Sequence, residues 1–136
     1  MAASLFIVVE GEDPGFDTFV NGHALARNED ALERMAARLH VHPLLEFFSA
    51  DENSMALLLE QGVADSEWER PQLEPQWFSA FDGLTTVRTL IGCLVAAPAT
   101  LGSETHPVLI ELREYDRVLQ KTAAHGLRWH IAASWR

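Results

Sequence analysis

Residues 107–135 read PVLIELREYDRVLQKTAAHGLRWHIAASW, a helix pattern followed directly by a strand pattern. Apolar residues recur every three or four positions after Pro107, which is the period of a helix with one buried face. Proline is favoured in the first turn of a helix, and glycine is favoured just past its end, where Gly126 lies. The sequence therefore predicts a helix over 107–125.

Apolar and more polar residues alternate after this helix, over 127–135, which is typical of a strand with one buried face. Such a strand needs a sheet on which to dock. Residues Ser4–Glu10 form a short, continuous apolar run, which predicts a central strand covered on both faces. We therefore expect an α+β fold: a small mixed sheet with the N-terminal and C-terminal strands together, packed by about four helices.

Between the two strands, the strongest local signal is Asn21-Gly22, which favours a tight hairpin over 16–26. The alternative is a plain loop in which the Asn-Gly pair joins no strands. Asn28 is of the residue type that caps helices, and the apolar spacing after it predicts a helix over 29–39.

Two further helices are expected in the middle of the chain. Residues 49–52 have the capping-box spacing and open a predicted helix that ends at Gly62. The polar, acidic stretch 63–75 is expected to be a surface loop, and long loops of this kind are often functional. Asp82 is predicted to cap the most apolar helix of the chain, over 83–97.

The length of the chain, 136 residues, predicts a single domain over 1–136. The single cysteine gives no internal disulfide, so nothing requires an oxidising compartment. No basic residue precedes the first apolar run, and an acidic residue follows it at once, so a signal peptide is not expected. We expect a cytoplasmic protein.

Acidic side chains concentrate in the first part of the chain. Residues 1–83 contain 16 acidic and 4 basic side chains, whereas residues 84–136 contain 4 acidic and 6 basic ones. The net charge of −10 disfavours a nucleic acid or an anionic membrane surface as partner, and it favours a basic protein. The alternative is that the acidic surface only keeps the protein soluble.

Motifs for catalysis and cofactor binding are missing. No two glycines lie two residues apart and the only lysine is Lys121, so neither the dinucleotide nor the phosphate-loop pattern is present. His40 and His42 are the only close histidine pair, and Glu46 would be needed as a third metal ligand. Because that third ligand is not in clear register, we expect surface histidines, no metal and no cofactor, and we assign no catalytic residue.

Arg128 and His130 lie on the polar face of the last predicted strand. If that face lines a pocket, His130 is a candidate general base or ligand contact. The alternative is a strand histidine that is hydrogen-bonded to a neighbour. The pocket interpretation corresponds to a small-molecule-binding domain or an enzyme.

Several stretches, taken in order, resemble small stand-alone bacterial proteins of an uncharacterised family. The resemblance covers most of the chain and implies a small bacterial cytoplasmic domain, but it brings no catalytic residues. It rests on residues 21–27 (NGHALAR), 39–44 (LHVHPL) with 47–49 (FFS), 83–90 (GLTTVRTL) and 123–130 (AAHGLRWH).

The small size, the charge asymmetry and the missing motifs favour a non-catalytic protein-interaction module of the inhibitor or immunity type, with a basic protein as partner. Tryptophan is enriched at binding hot spots, and carboxylates attract a basic surface. The predicted binding residues are therefore those of the acidic loop, Glu67, Trp68, Glu69 and Glu74. The sequence leaves the oligomeric state open.

Overall fold

The computed structural model describes residues 3–11, 13–49 and 75–135. Their fold is α+β, as expected, with a three-stranded sheet and four α-helices. The strands are β1 (Ala3–Val9), β2 (Phe78–Ser79) and β3 (Arg128–Trp135), and the helices are α1 (His23–Arg27), α2 (Glu29–Arg38), α3 (Ala80–Ala96) and α4 (Thr105–Ala124). A turn of the tighter 3₁₀ helix occupies Leu44–Phe47. A second 3₁₀ segment, Pro98–Glu104, is kinked at Gly102 and joins α3 to α4.

The N-terminal and C-terminal strands pair with each other, as predicted. They are antiparallel, with Ala3 opposite Trp135 and Val9 opposite Trp129. The strand order is β1-β3-β2, and Phe48 adds one parallel bridge to Ile131. The last strand is therefore the centre of the sheet.

The expectation that the first strand is central and covered on both faces is wrong. β1 lies at the edge of the sheet, and its burial alternates: Leu5, Ile7 and Val9 are buried, whereas the residues between them are partly exposed. In β3, by contrast, Trp129 through Ala132 are all buried. The strand between two neighbours is thus the one that the protein covers on both faces.

The predicted helix–glycine–strand unit is confirmed. The long helix α4 ends at Ala124, and Gly126 has a φ of +67°, the left-handed conformation that reverses the chain into β3. The helix buries Val108, Leu112, Tyr115 and Leu119, the stripe that its apolar spacing predicts. This unit places the core between α4 and the sheet.

Two predicted helix caps are wrong. The most apolar helix begins at Ala80 because the Ser79 hydroxyl accepts the N–H of Phe81, so Asp82 lies inside its first turn. α2 begins at Glu29 as expected, but the Asn28 side chain does not cap it. Its amide instead donates to the carbonyl oxygen of Ala24 and to the carboxylate of Glu104.

The predicted hairpin over 16–26 is also wrong. Residues 17–22 have no regular structure, and the chain enters α1 at His23. A tight hairpin turn needs positive φ at both central residues. Gly22 has a φ of −127°, and Asn21 is not among the residues with positive φ, so the Asn-Gly pair serves another purpose.

The helix predicted to end at Gly62 and most of the loop predicted over 63–75 lie outside the described residues. Within the part of the chain that is described, no single helix is long and apolar enough to cross a membrane. Only the bent pair Ala80–Ala96 and Pro98–Ala124, which turns by 96°, reaches that length and composition together.

Candidate functional site

The residues predicted for binding from the acidic loop, Glu67, Trp68, Glu69 and Glu74, lie outside the described residues. Ser49 precedes this stretch in the sequence and Gln76 follows it, and hydrogen bonds link them to each other and to β3. The N–H of Gln76 donates to the Ser49 hydroxyl over 2.9 Å, and the N–H of Ser49 donates to the carbonyl oxygen of Ile131 over 3.0 Å. Ser49 and Gln76, which flank the predicted loop in sequence, therefore lie beside the central strand.

The alternative pocket residues, Arg128 and His130, are two positions apart on β3 but have different surroundings. The Arg128 side chain is exposed, and its guanidinium forms an ion pair with the Glu10 carboxylate at the end of β1. His130 is only 3% exposed. The structure thus places one of the two side chains at the surface and the other in the interior.

His130 is held by the chain segment before β2. Its ring nitrogen Nδ1 lies 3.0 Å from the carbonyl oxygen of Gln76, and its ring centroid lies 4.4 Å from that of Trp77. A carbonyl oxygen only accepts, so Nδ1 carries the proton and donates it to the main chain. This is the hydrogen-bonded strand histidine of the second interpretation.

The histidine pair that was weighed as a metal site, and expected to hold no metal, lies at the surface. His42 and Glu46 are exposed and contact each other, with Nδ1 2.6 Å from Oε2, while His40 is exposed nearby. Among the described residues, no group of three or more histidine, cysteine or acidic side chains is placed to hold a metal ion.

A cleft of about 540 Å³ lies beside β1, and we call it the β1-edge cleft. Ser4, Phe6 and Ile7 of β1 form one side of it, and residues 17–21 with His23 form the other. Its most prominent member is Phe19, which is 74% exposed and is the most exposed large apolar side chain among the described residues. Sequence reasoning missed this cleft because it assigned these residues to a hairpin.

The wall that carries Phe19 is fixed in place. The Asp17 carboxylate accepts the N–H of Phe19 over 2.9 Å, and the Arg117 guanidinium of α4 donates to the carbonyl oxygen of Phe19 over 3.2 Å. Two residues on, the Glu114 carboxylate of α4 accepts the N–H of Asn21 over 3.0 Å. The exposed phenyl ring of Phe19 therefore belongs to a segment whose main chain is hydrogen-bonded to α4.

The same helix anchors α1 through a buried carboxylate. Glu111 is 6% exposed, and its two oxygens accept the N–H groups of Ala24 and Leu25 over 3.1 and 2.9 Å. Four residues on, the buried Tyr115 hydroxyl donates to the carbonyl oxygen of Leu5 over 2.8 Å. Sequence reasoning missed Glu111 as well, although its position on the apolar stripe of the helix signals burial.

The ionisation of Glu111 is expected to be displaced from the ordinary range. Burial raises the pKa of its carboxyl above 4.5, since the loss of hydration opposes the charged form more than the two N–H donors favour it. Between pH 4.5 and the raised pKa of Glu111, the folded state then binds more protons than the unfolded state. The contribution of Glu111 to the free energy of unfolding therefore falls as the pH rises through that window.

Glu104 provides the internal control for this titration. Its hydrogen bonds with Arg27 and Asn28 lower the pKa of its carboxyl below 4.5, the opposite direction. A carbon-detected NMR titration of the side-chain carboxyls is expected to find that Glu104 titrates at a lower pH than Glu111. A Glu111 midpoint at or below that of Glu104 would contradict the buried arrangement.

A second cleft, of about 490 Å³, lies between α3 and α4. It is lined by Phe81, Leu84, Thr85 and Arg88 of α3 and by Gln120, Ala123 and Ala124 of α4. Phe81 is 68% exposed, so it provides a comparison for Phe19 on another part of the surface.

No protein-family model, no curated protein and no solved structure matches this chain. The charge distribution of the sequence, the α+β fold and the geometry of the clefts are therefore the basis for the proposals below.

Proposed function

We propose that this protein is a small, non-catalytic interaction module of the inhibitor or immunity type, which acts in the cytoplasm and binds a basic protein. The observation that carries the proposal is the concentration of charge: 15 of the 20 carboxylates lie in residues 10–75, with 4 arginines among them. A field of this kind attracts a basic surface, and it disfavours nucleic acid and anionic membranes as partners.

The ion pairs of the described residues do not neutralise this span from within. Arg27, one of its 4 arginines, pairs with Glu104 of the neighbouring 3₁₀ segment. At the start of α2, burial raises the pKa of Glu29, and the carboxylates of Asp30 and Glu33 raise it further. Such like-charge repulsion persists at a cost to the free protein, and a basic partner would relieve it.

The binding surface is proposed to include the acidic loop residues Glu67, Trp68, Glu69 and Glu74. On either side of that stretch in the sequence, Ser49 and Gln76 are hydrogen-bonded to each other, and Ser49 is hydrogen-bonded to Ile131 of β3. Long-range charge attraction raises association rates by about 10–10³ at low salt, and most of that effect is lost when salt screens the charges.

A pull-down from the native host, with this protein as bait, tests the proposal. At low salt we expect the bait to retain a basic protein, and at about 1 M salt, where the screening length falls to about 3 Å, we expect the retention to be lost. Substituting glutamine for Glu67, Glu69 and Glu74 is expected to lower retention severalfold, because it removes three of the carboxylates that face the partner.

The matched control changes the net charge by the same amount at another place. Lysine at Val95, Ala96 and Ala99, all exposed, also takes the net charge from −10 to −7. We expect this variant to retain the partner almost as well as the unmodified bait. Failure to retain any basic protein at low salt, or equal losses in both variants, would overturn the proposed function and return attention to His130.

A further inference from the structure

The β1-edge cleft has the features of a pocket for an anchoring side chain. It has about 540 Å³ of space, with Phe6 on the side of the strand and the exposed Phe19 on the side of the opposite wall. Hot spots of protein interfaces are aromatic and aliphatic anchors seated in such pockets. An apolar side chain between two phenyl rings would be removed from water on both sides, which is the main source of its binding energy.

The rim of the cleft carries negative charge that no ion pair neutralises within the described residues. Asp17 lines the cleft and is exposed, and it uses one carboxylate oxygen for the N–H of Phe19. The Arg117 guanidinium donates to the carbonyl oxygens of Asp17 and Phe19, and it forms no ion pair with the Asp17 carboxylate. The second carboxylate oxygen of Asp17 therefore remains available to a cation.

We propose that the β1-edge cleft is the docking site for a segment of the basic partner, which inserts an apolar side chain between Phe6 and Phe19 and places a lysine or arginine beside Asp17. This inference rests on the proposed function and adds the place and the chemistry of recognition. The β1-edge cleft differs from the acidic loop because every residue that lines the cleft lies in the described part of the chain.

Two features favour a partner segment over a second copy of this protein. In a symmetric pair, each cleft would face the acidic rim of its neighbour, and like charges at an interface repel. At one end of the cleft, moreover, the outer edge of β1 is already occupied: the N–H of Leu5 donates to the carbonyl oxygen of Gly22, and its carbonyl oxygen accepts from Tyr115. The strand edge is closed to pairing with another β1 at that point.

The main chain of the cleft wall is hydrogen-bonded to α4 without a partner, and we expect this to lower the entropic cost of binding. Its hydrogen bonds involve the main chain of Phe19 and Asn21, so they survive a change of the Phe19 side chain. A main chain that is already hydrogen-bonded loses less conformational freedom on binding than one that the partner must order. A Phe19→Ala variant therefore removes the phenyl ring without removing these main-chain hydrogen bonds.

The test uses a short, end-capped peptide in which phenylalanine is flanked by lysines, titrated into the whole protein and followed by NMR. We expect backbone shift changes at Phe6, Asp17 and Phe19. Peptides with alanine in place of phenylalanine, or glutamate in place of lysine, are expected to bind at least about tenfold more weakly. No shift changes in the cleft at about 1 mM peptide, enough to half-saturate a site of about 1 mM Kd, would overturn the proposal.

Variants locate the contact. Phe19→Ala is expected to weaken peptide binding at least about tenfold, while Phe81→Ala, which removes the other highly exposed phenylalanine, leaves it unchanged. Asp17→Asn keeps an oxygen for the N–H of Phe19 and removes the charge, so we expect a two- to fivefold loss, roughly the value of an exposed ion pair, and a weaker dependence on salt. Equal effects of the two alanine variants would overturn the assignment.

The same variants separate this inference from the proposed function. If the pull-down retains a basic protein and Phe19→Ala retains it as well as the unmodified bait, the interaction function stands and the cleft is not its docking site. If no basic protein is retained, the interaction function fails. Retention that falls with both Phe19→Ala and Asp17→Asn, and not with Phe81→Ala, supports both.

Discussion

Gly22→Ala is expected to destabilise the protein by more than about 3 kcal/mol, a large share of the roughly 5–15 kcal/mol of a typical domain. A Cβ at this position would lie 1.6 Å from the carbonyl oxygen of Leu5 and 2.7 Å from its nitrogen. Both atoms belong to the main chain of β1, so no side-chain rotation relieves the contact. The segment before α1 would have to leave the strand.

The loss would spread beyond the contact itself. The hydrogen bond from the N–H of Leu5 to the carbonyl oxygen of Gly22 would break, and the N–H groups of Ala24 and Leu25 would move away from the buried Glu111 carboxylate. A buried carboxylate without its donors is expected to lower the free energy of unfolding by about 1–3 kcal/mol more. Urea denaturation is expected to show a strongly lowered midpoint, and amide exchange is expected to be faster at Leu5.

Gly92→Ala is the matched control for this substitution. Gly92 lies in α3, and a Cβ there meets nothing within 4 Å. Alanine is favoured over glycine in a helix interior by about 1 kcal/mol, so this variant is expected to be slightly more stable than the unmodified protein. A Gly22→Ala midpoint equal to that of the unmodified protein would show that the close approach to β1 is not required.

Gly83→Ala is expected to have the opposite sign from Gly92→Ala although both glycines lie in the same helix. A Cβ at Gly83 would lie 2.4 Å from Cζ2 of the Trp129 indole. That ring has no room to move: it is fully buried, stacks on Phe47 with centroids 5.0 Å apart, and donates its Nε1 proton to the carbonyl oxygen of Ser79 over 3.1 Å.

The expected net effect is a destabilisation of about 1–3 kcal/mol, because overpacking of a fixed aromatic ring outweighs the gain in helix propensity. The fluorescence or near-ultraviolet dichroism of the buried indole is expected to change in Gly83→Ala and to stay the same in Gly92→Ala. A stabilised Gly83→Ala variant would mean that α3 leaves room for a Cβ beside Trp129.

The local sequence pattern was sufficient to predict an element where the spacing of apolar side chains and a turn residue agree. The apolar spacing of the last long helix and the left-handed Gly126 led to α4 and its reversal into β3, and the structure confirms both. The apolar run at the N-terminus led to β1 and to its pairing with the last strand. These features depend on neighbours in sequence, which a single chain displays directly.

The candidate site was less accessible to sequence reasoning. Asn21-Gly22 signals a hairpin, yet glycine is needed there because the chain passes against the main chain of Leu5. The exposure of Phe19 also has no local signal, since a phenylalanine next to an apolar residue such as Val20 is usually assigned to the core. Only Glu111 carried a usable signal, a carboxylate placed on an otherwise apolar stripe.

The amino-acid sequence alone thus accounts for the fold class, the helix–glycine–strand unit and the acidic character of residues 10–75. The spacing of apolar residues and the distribution of charge can be recognised in the sequence without knowing which helices and strands pack together. The strand order, the edge position of β1 and the β1-edge cleft required the folded arrangement. Each depends on contacts between residues far apart in the chain, such as Arg117 with Phe19 and Tyr115 with Leu5, which no local pattern encodes.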